Sequence, residues 1–456
     1  RNDSGCIVMS IASIPQASTA PRWRQMLHYT TKPLDYMEKG AQQNSDIFNA
    51  PVIGNHETVL FVSHPKGIQQ IFSSDCVKAP PNVLLQPVVG DHSIFCLENA
   101  RHKRERRLLM PPFHREQIPK YGELILELTK NAMQGLSSGD IFLARSLMQT
   151  ISLDVILKVV FGLSDGPRFD QLKARIVEFT DCFQNILVSG ALFFPTLRLD
   201  WGPRSPWGHF QHVRNQVSEL LLAEICDRKA QDTTTKNDIL SLLIAARDEA
   251  GQPMGDNELH DELLTMLLAG HETTASAISW ALYWVYQDPQ VYQTLVNELD
   301  TLGQAPDPVA ITQLPYLTAV CNETLRLYPI TNLTVPREVT APMNLMGYDL
   351  QPGSRLYGAI YLTHHRPELY PDSKSFKPER FLERQFSSYE FLPFGGGIRR
   401  CIGEVLAQFE MKLVLATLVS KYQLEWVGKT PETAKRRGVT LAPGNGVEMR
   451  FNGKRV

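Results

Sequence analysis

Cys401 is the residue of this sequence with the clearest chemical potential. It lies in FLPFGGGIRRCIGE, residues 391–404, after a glycine cluster and two arginines and before the apolar stretch VLAQFEMKLVLATLV. Neighbouring cations and the amides of a helix N-terminus stabilise a thiolate, and glycines let the backbone approach a flat ligand closely. The alternative, a buried free cysteine, is the weaker interpretation at this spacing. The pattern F-x-x-G-x-R-x-C-x-G is carried by Phe394, Gly397, Arg399, Cys401 and Gly403.

A second pattern, Ala269-Gly270-His271-Glu272-Thr273-Thr274, lies inside the apolar stretch from residue 265 to residue 286. That stretch is long enough to cross a bilayer, but an acid, a histidine and several hydroxyl groups at its centre predict a helix buried in protein. One interpretation of the pattern is an internal kink at which a threonine bonds back to a carbonyl. We favour a functional site, because glycine, acid and alcohol together are unfavourable within a helix. His271 is expected to be a packed histidine.

Two further patterns are charged. Glu323 and Arg326 in VCNETLRLYP are three residues apart, so on a helix they share a face and can pair. Taken alone, such a pair is more often a weak, solvated one. The basic run ENARHKRERRLLMPPFH could bind nucleic acid or form a solvated face. On a helix, His102 and Arg106 lie four residues apart and share a face.

The elements that must position these residues are mainly helical. Apolar residues recur three and four positions apart in the segments EQIPKYGELILELTKNAMQGL, SLMQTISLDVILKVVFGL, WGHFQHVRNQVSELLLAEICDRKAQ and LPYLTAVCNETLRLY, and around residues 257–287. Short strands are predicted in ETVLFVSH, NLMGYDLQPGSRLYGAIY and GVEMRF. A long segment without clear period spans residues 367–397, and a loop of that length is usually functional. The fold class predicted is mainly α with small β-sheets.

Composition limits the alternatives. The 456 residues carry a formal net charge of −2, which argues against nucleic acid as the main partner. The seven cysteines are scattered without a C-x-x-C pair, which favours a reducing compartment. We expect a soluble, cytoplasmic monomer, with peripheral membrane contact and without a transmembrane anchor. Residues 1–8 are expected to be a leader, and residues 9–456 a single domain.

These motifs, in this order from about Phe48 to the end, resemble the cytochrome P450 superfamily. Details such as FVSHPKGIQQIFSSD, RRLLMPPFH and RRGVTLAPGNGV look most like its soluble cyanobacterial members. The resemblance implies a P450-type fold and a haem-thiolate monooxygenase. Its cofactor would be haem b (iron protoporphyrin IX), placed between the long central helix and the cysteine loop, with Cys401 as axial ligand of the iron.

The resemblance also assigns roles to the other motifs. Ala269 and Gly270 would form an oxygen-binding groove, with Gly270 leaving room beside the iron. Thr273 would hydrogen-bond dioxygen or a water, and Glu272 would relay protons from solvent. The residues implied for the haem propionates are His102, Arg106, Arg337 and Arg399. A structural lock under the haem would consist of Glu323, Arg326 and Arg380.

Substrate and electron donor follow less directly. The segments expected to line the pocket are apolar, which predicts a small hydrophobic substrate: a fatty acid or alkane, or a terpenoid or polycyclic compound. Residues expected in that pocket are Phe95, Leu268, Ile330, Leu333 and Leu441. With O2 as co-substrate, electrons would come from a separate ferredoxin or flavodoxin-type donor. Its docking face is expected to carry Arg104, Arg107, Arg400 and Lys412, supplemented by Arg101 and Lys103.

Two alternatives remain. One is an isomerase or dehydratase on the same scaffold, and the other is a non-catalytic haem-thiolate sensor. The intact Gly-x-Glu-Thr pattern disfavours both, because neither function needs a proton relay.

Overall fold

The computed structural model describes residues 13–163, 165–231 and 237–455, and over these residues the chain is mainly helical. Many helices begin with proline in the first turn, where its missing N–H costs nothing. In chain order the helices are α1 (Arg22–Thr31), α2 (Pro33–Gln43), α3 (Pro65–Ser73), α4 (Gln86–Val89), α5 (Asn99–Leu109), α6 (Gly122–Met133), α7 (Ala144–Phe161), α8 (Pro167–Asp181), α9 (Ile186–Phe193), α10 (Pro206–Lys229), α11 (Ile239–Ala245), α12 (Asp256–Gln287), α13 (Pro289–Asp300), α14 (Pro308–Thr312), α15 (Pro315–Leu327), α16 (Ile360–His364), α17 (Arg380–Glu383) and α18 (Glu404–Lys421).

The strands are short and form four small sheets. They are β1 (Ile47–Asn49), β2 (Val59–Val62), β3 (Val77–Lys78), β4 (Ile141–Leu143), β5 (Arg337–Val339), β6 (Met343–Leu345), β7 (Tyr348–Leu350), β8 (Arg355–Gly358), β9 (Tyr422–Trp426), β10 (Ala434–Arg437), β11 (Thr440–Pro443) and β12 (Glu448–Lys454). The strand order is β1-β2-β8-β5-β3 in the largest sheet, β4-β12-β9 in the next, and β10-β11 and β6-β7 in the two hairpins. The predicted fold class, mainly α with small sheets, is confirmed.

The described chain divides into two compact units. The first contains the chain up to Pro80, Asn332–Arg366 and Ser387–Arg400. Its five-stranded sheet is antiparallel except where β2 runs parallel to β8, with Val59 opposite Arg355. Each of the four side chains of β2, VLFV, is buried, as expected for a central strand covered on both faces.

The second unit contains Pro81–Thr331, Pro367–Phe386 and Cys401–Val456. Its central element is the 32-residue helix α12, which packs against α7, α10, α15 and α18. The helix begins where Glu258 accepts a hydrogen bond from the Gly255 N–H at 2.8 Å. It ends at Asp288, whose carboxylate accepts from the Gln290 N–H at 2.9 Å and starts α13. The predicted long, buried central helix is therefore confirmed.

The predictions about membrane-spanning segments, the leader and the domain count can be compared with the structure only in part. Among the described residues, no helix combines the length and the apolar character needed to cross a membrane. The predicted leader, residues 1–8, lies outside the described residues, and the single domain stays a prediction. The segment without clear period, residues 367–397, holds the one-turn helix α17 in its middle.

Candidate active site

The loop before Cys401 is shaped by its glycines. Gly397 has a φ of +62°, in the left-handed region that favours glycine. A Cβ at Gly396 would lie 2.5 Å from Cε2 of Phe72, so a side chain there would displace this ring. Phe394 is half-buried. Cys401 is exposed and forms no disulfide with another described cysteine; it lies three residues before α18 begins at Glu404, with Gly403 directly before that helix. The thiol is therefore accessible to a ligand.

Arg337, on β5 of the first unit, is a buried guanidinium that is 4% exposed. It lies 5.1 Å above the Phe72 ring and donates to the Val335, Pro336 and Gly396 carbonyls, each at 3.1 Å. In the part of the chain that the structure describes, no carboxylate pairs with it. Burial, together with the nearby charge of Arg399, lowers the pKa of Arg337 to about 10. Arg399 itself donates to the Ala79 carbonyl at 3.3 Å. This position therefore carries excess positive charge and fits an anionic group.

On α12, the predicted groove residues interrupt an otherwise buried helix. Ala269 is exposed and Leu268 and Gly270 are partly exposed, although most of α12 is buried. The Thr273 hydroxyl donates to the Ala269 carbonyl at 2.5 Å, so the back-bonding interpretation describes its observed hydrogen bond. We call Leu268, Ala269 and Gly270 the opening in α12, because the helix is accessible to a flat ligand at these residues.

Gly270 lies where α12 packs closely against α7. A Cβ at Gly270 would lie 2.6 Å from Cδ1 of Ile156 on α7. Close packing of the two helices therefore also favours the glycine, and the expectation that it leaves room beside an iron stays a prediction.

Glu272 is held by two residues of α7 that the sequence analysis missed. Arg145 forms a short ion pair with its carboxylate, and Nε2 of Gln149 donates to Oε2 at 2.6 Å. The available signal was the spacing of Arg145 and Gln149, which lie four residues apart in a predicted helix and therefore share a face. Neighbouring His271 is buried, and burial lowers its pKa, so it is a neutral packed histidine at pH 7. Two side chains of α7 therefore fix the position of the Glu272 side chain.

His102 and Arg106 both lie on α5, where His102 is buried and Arg106 is half-buried.

The predicted docking face for an electron donor is less basic than expected. Arg104 pairs with Asp248 at 2.7 Å and Glu258 at 3.2 Å.

The other residues predicted for the docking face differ in their hydrogen-bond and ion-pair partners. Arg107 pairs with the exposed Glu249. Lys412 donates to the Thr312 carbonyl at 3.0 Å, and burial lowers its pKa. Arg104 and Lys412 are half-buried and therefore offer less to a docking partner than expected, whereas Arg107 and Arg400 are exposed. The docking face stays a prediction.

The residues predicted for the substrate pocket are distributed over both units. In the second unit, the Leu441 N–H donates to the Ile330 carbonyl at 2.8 Å, and β11, which carries Leu441, packs against α12. Phe95 belongs to the same unit and is half-buried. Leu333 belongs to the first unit, where it packs against a core of aromatic residues.

Glu323, Arg326 and Arg380 form a buried network in the second unit. Arg326 donates through Nε to Oε2 of Glu323 at 2.7 Å and through Nη2 to Oε1 at 2.8 Å. Arg380 donates through Nε to Oε1 of Glu323 at 3.0 Å. Arg326 also donates to carbonyls of the segment that follows Pro367, those of Ser373 and Ser375. The network ties α15 to this irregular segment.

The chain is similar in sequence and in structure to members of one protein family. The family model for cytochrome P450 matches residues 15–448. A putative cytochrome P450 135B1 from Mycobacterium tuberculosis is 31% identical over 459 residues, covering 99% of this chain and 93% of the relative. A putative cytochrome P450 135A1 from the same organism is 29% identical, covering 96% and 95%. Among solved structures, a retinoic acid-bound cyanobacterial CYP120A1 matches with a TM-score of 0.85 at 23% identity, covering 97% of this chain and 100% of that one.

Proposed function

The chain belongs to the cytochrome P450 family and is a haem-thiolate monooxygenase, and we propose that it hydroxylates or epoxidises a small hydrophobic substrate. The observation that carries this proposal is the opening in α12. Ala269 is exposed in the middle of a buried helix, and the acid–alcohol pair Glu272 and Thr273 follows within about one turn. A monooxygenase needs such a place, where protons can reach the reacting oxygen beside an apolar substrate.

The residues present fit haem b. We assign Cys401 as the ligand of its iron, because this thiol is accessible and precedes a helix N-terminus. We assign Arg337 and Arg399 to the propionates, because Arg337 is a buried cation whose charge no described carboxylate balances. His102 and Arg106 complete this assignment. When bound, haem supplies the activation of dioxygen and the transfer of one oxygen atom.

The chain's own part in the reaction is to deliver protons and to exclude water. We assign Glu272 as the residue that passes a proton to the Thr273 hydroxyl. The carboxylate is held by Arg145 and Gln149, so these two residues set its position. Because Thr273 donates to the Ala269 carbonyl, its hydroxyl oxygen keeps a lone pair that can accept a proton or a hydrogen bond.

The substrate class follows from apolar surroundings. The backbones of Ile330 and Leu441 are hydrogen-bonded to each other beside α12, and both apolar side chains are buried. Together with Phe95, Leu268 and Leu333 they favour a fatty acid, alkane, terpenoid or polycyclic compound. The retinoic acid bound to the cyanobacterial CYP120A1 makes an isoprenoid acid a suitable first test ligand.

As a family member, the enzyme takes O2 and electrons from a redox partner. We propose a ferredoxin or flavodoxin-type donor that docks on the face with Arg104, Arg107, Arg400 and Lys412, to which the exposed Arg107 and Arg400 contribute most. We further propose a monomer in the cytoplasm, with peripheral membrane contact and no nucleic acid partner. None of the six cysteines that the structure describes forms a disulfide, which supports a reducing compartment.

The test begins with the ligand and ends with the product. Reduced protein under carbon monoxide should show the red-shifted Soret band of thiolate ligation, and Cys401→Ser should lose it. The matched control is Cys226→Ser, at an exposed thiol, which should keep the band. Product formation should require O2, NADPH and an added donor system. An unchanged band in Cys401→Ser would remove the ligand assignment, and product formed without O2 would indicate an isomerase or dehydratase.

A further inference from the structure

We propose that Asp261, Glu262 and Thr265 of α12 are positioning residues that hold the segment from His92 to Ile94 and thereby fix Phe95, which determines substrate selectivity. The selectivity part of this proposal rests on the proposed function. The positioning part concerns only contacts within the second unit.

The contacts involve three consecutive residues of the segment. The His92 N–H donates to Oδ2 of Asp261 at 2.8 Å, and the Ile94 N–H donates to Oε1 of Glu262 at 2.6 Å. Between them, the Thr265 hydroxyl lies 2.7 Å from the Ser93 hydroxyl. Asp261, Glu262 and Thr265 lie within about one turn of α12, so a single rigid surface holds three successive residues.

The hydrogen bond from the Ile94 N–H to Glu262 is buried, so its loss would be unfavourable. Glu262 is 1% exposed, and Ser93 and Ile94 are buried as well. Without the carboxyl group, the Ile94 N–H would lose this partner inside the protein, which is unfavourable for a backbone donor. In the described part of the chain, the other oxygen of Glu262, Oε2, has no hydrogen-bond partner. A buried acid is a poor choice for packing alone, so its one hydrogen bond to the segment explains why an acid stands there.

The backbone before these contacts is also constrained. Gly90 has a φ of +91°, and a Cβ there would lie 2.3 Å from the Asp261 carboxyl group. The backbone therefore approaches Asp261 closely at a position that favours glycine. Further back, Nε of Arg214 on α10 donates to the Val88 carbonyl at 3.1 Å. The chain from Val88 to Ile94 is consequently held by two helices.

Phe95 directly follows the segment from His92 to Ile94, so the contacts of that segment also fix the backbone of Phe95. Its carbonyl accepts from the Asn82 N–H at 2.8 Å, and its own N–H donates to the Ser93 hydroxyl at 3.3 Å. Its side chain is half-buried and so still presents surface to a ligand. Glu262 lies seven residues before Ala269, or about 10 Å along the helix axis. Helix α12 therefore carries the opening at Ala269 and also fixes the position of Phe95.

The experiment compares two substitutions at one position. Glu262→Leu removes the acceptor at similar volume, whereas Glu262→Gln keeps a carbonyl oxygen for the Ile94 N–H. In the substrate-free, haem-loaded protein, Glu262→Leu should raise hydrogen exchange at Ile94 roughly tenfold, as expected for a buried donor that loses its partner. Glu262→Gln should stay near the wild-type rate. Unchanged exchange in Glu262→Leu would overturn the positioning role.

Selectivity is measured separately, on a substrate that yields two or more products. Glu262→Leu should change the product ratio in the same direction as Phe95→Ala, with KM altered more than kcat, and Glu262→Gln should restore the wild-type ratio. Raised exchange with an unchanged ratio would overturn the selectivity part alone. If the wild type forms no product, the proposed function fails, while the exchange result still decides the positioning role.

A second variant covers the possibility that Glu262→Leu does not fold. Thr265→Val removes the hydroxyl group that contacts Ser93 and keeps the shape of the side chain. It should raise exchange across residues 93–95 without altering exchange in α18, which serves as the internal reference. Exchange at wild-type rates throughout residues 93–95 would overturn the proposal.

Discussion

Two buried guanidinium sites, one in each unit, show how differently a fold can treat the same side chain. In the second unit, Arg326 and Arg380 share the carboxylate of Glu323, and Arg326 donates to two carbonyls in addition. In the first unit, Arg337 is equally deep, but its donors reach only backbone carbonyls and the neighbouring charge is that of another arginine. The first arrangement balances its charge within the chain, and the second does not.

The difference separates structural from ligand-binding cations. Placing a charge in the protein interior is unfavourable unless an opposite charge accompanies it. The network around Glu323 provides that charge, so removing one member should damage the fold itself. Arg337 has only neutral acceptors, which indicates that its balancing charge belongs to a bound group. The proposed propionates are such a group.

The largest expected effect is at the balanced site. Arg326→Ala would leave Glu323 buried with one of its two cations missing, and breaking such a pair costs roughly 3–5 kcal/mol. We expect little folded, haem-loaded protein, measured as soluble yield and as the urea midpoint. Normal yield and an unchanged midpoint would contradict the comparison.

Arg337→Met should have effects of opposite sign with and without haem. Burial lowers the pKa of Arg337 from 12.5 to about 10, so folding keeps an unfavourable charge at every pH below that value. Removing the charge should stabilise the haem-free protein by up to about 3 kcal/mol. The haem-loaded variant should instead release haem faster, because a propionate loses its partner. Thermal unfolding of the haem-free form and transfer of haem to an acceptor globin measure the two effects.

Arg22→Met is the matched control for this substitution. Arg22 belongs to the same unit, is half-buried, and likewise donates to a backbone carbonyl, that of Pro51 at 3.1 Å. It should leave the rate of haem release unchanged. If both variants released haem equally fast, Arg337 would have no special relation to the bound group.

The buried acid Glu105 on α5 extends the comparison to negative charge. Burial, together with the charge of Glu258, raises its pKa from 4.5 to about 7, while Arg104 and Arg101 oppose this shift. A raised pKa means that the folded state favours the protonated acid, so stability is greatest below pH 4.5 for this group and falls as pH rises to about 7. Glu105→Gln should remove this fall and stabilise the protein at pH 8 by about 2–3 kcal/mol.

Urea midpoints measured between pH 5 and pH 8 test this expectation. Glu127→Gln, at an exposed acid of α6, is the control and should keep the wild-type pH dependence. The same slope in Glu105→Gln as in the wild type would show that Glu105 is already ionised in the folded protein at low pH.

The smallest effect is expected at Gln149. Gln149→Leu removes one hydrogen bond to Glu272, which is worth about 1 kcal/mol in stability, and leaves the Arg145 ion pair in place. The proposed proton delivery should be more sensitive than stability, so a larger share of the NADPH consumed should end as peroxide. Equal coupling of NADPH to product in variant and wild type would separate Gln149 from the function of Glu272.

Local sequence was enough to determine the elements that carry the site. The apolar period from about residue 257 to residue 287 predicted the central helix, because a buried helix repeats its pattern every few residues. The glycines before Cys401 predicted a tight approach of the backbone, and Gly397 with its positive φ has the conformation that requires glycine. These features depend on neighbours along the chain, so they can be read from it.

Only the tertiary structure decided what each side chain meets. Glu272 pairs with Arg145 from 127 residues earlier, Gly270 packs against Ile156, and Arg104 is bound by Asp248. None of these partners has a fixed spacing, because tertiary packing sets them. Electrostatic balance likewise depends on every charge within a few ångströms, whatever its place in the chain. That is why two arginines of the basic run, Arg104 and Arg107, are paired with acids, while an isolated arginine, Arg337, became a buried cation with no described carboxylate partner.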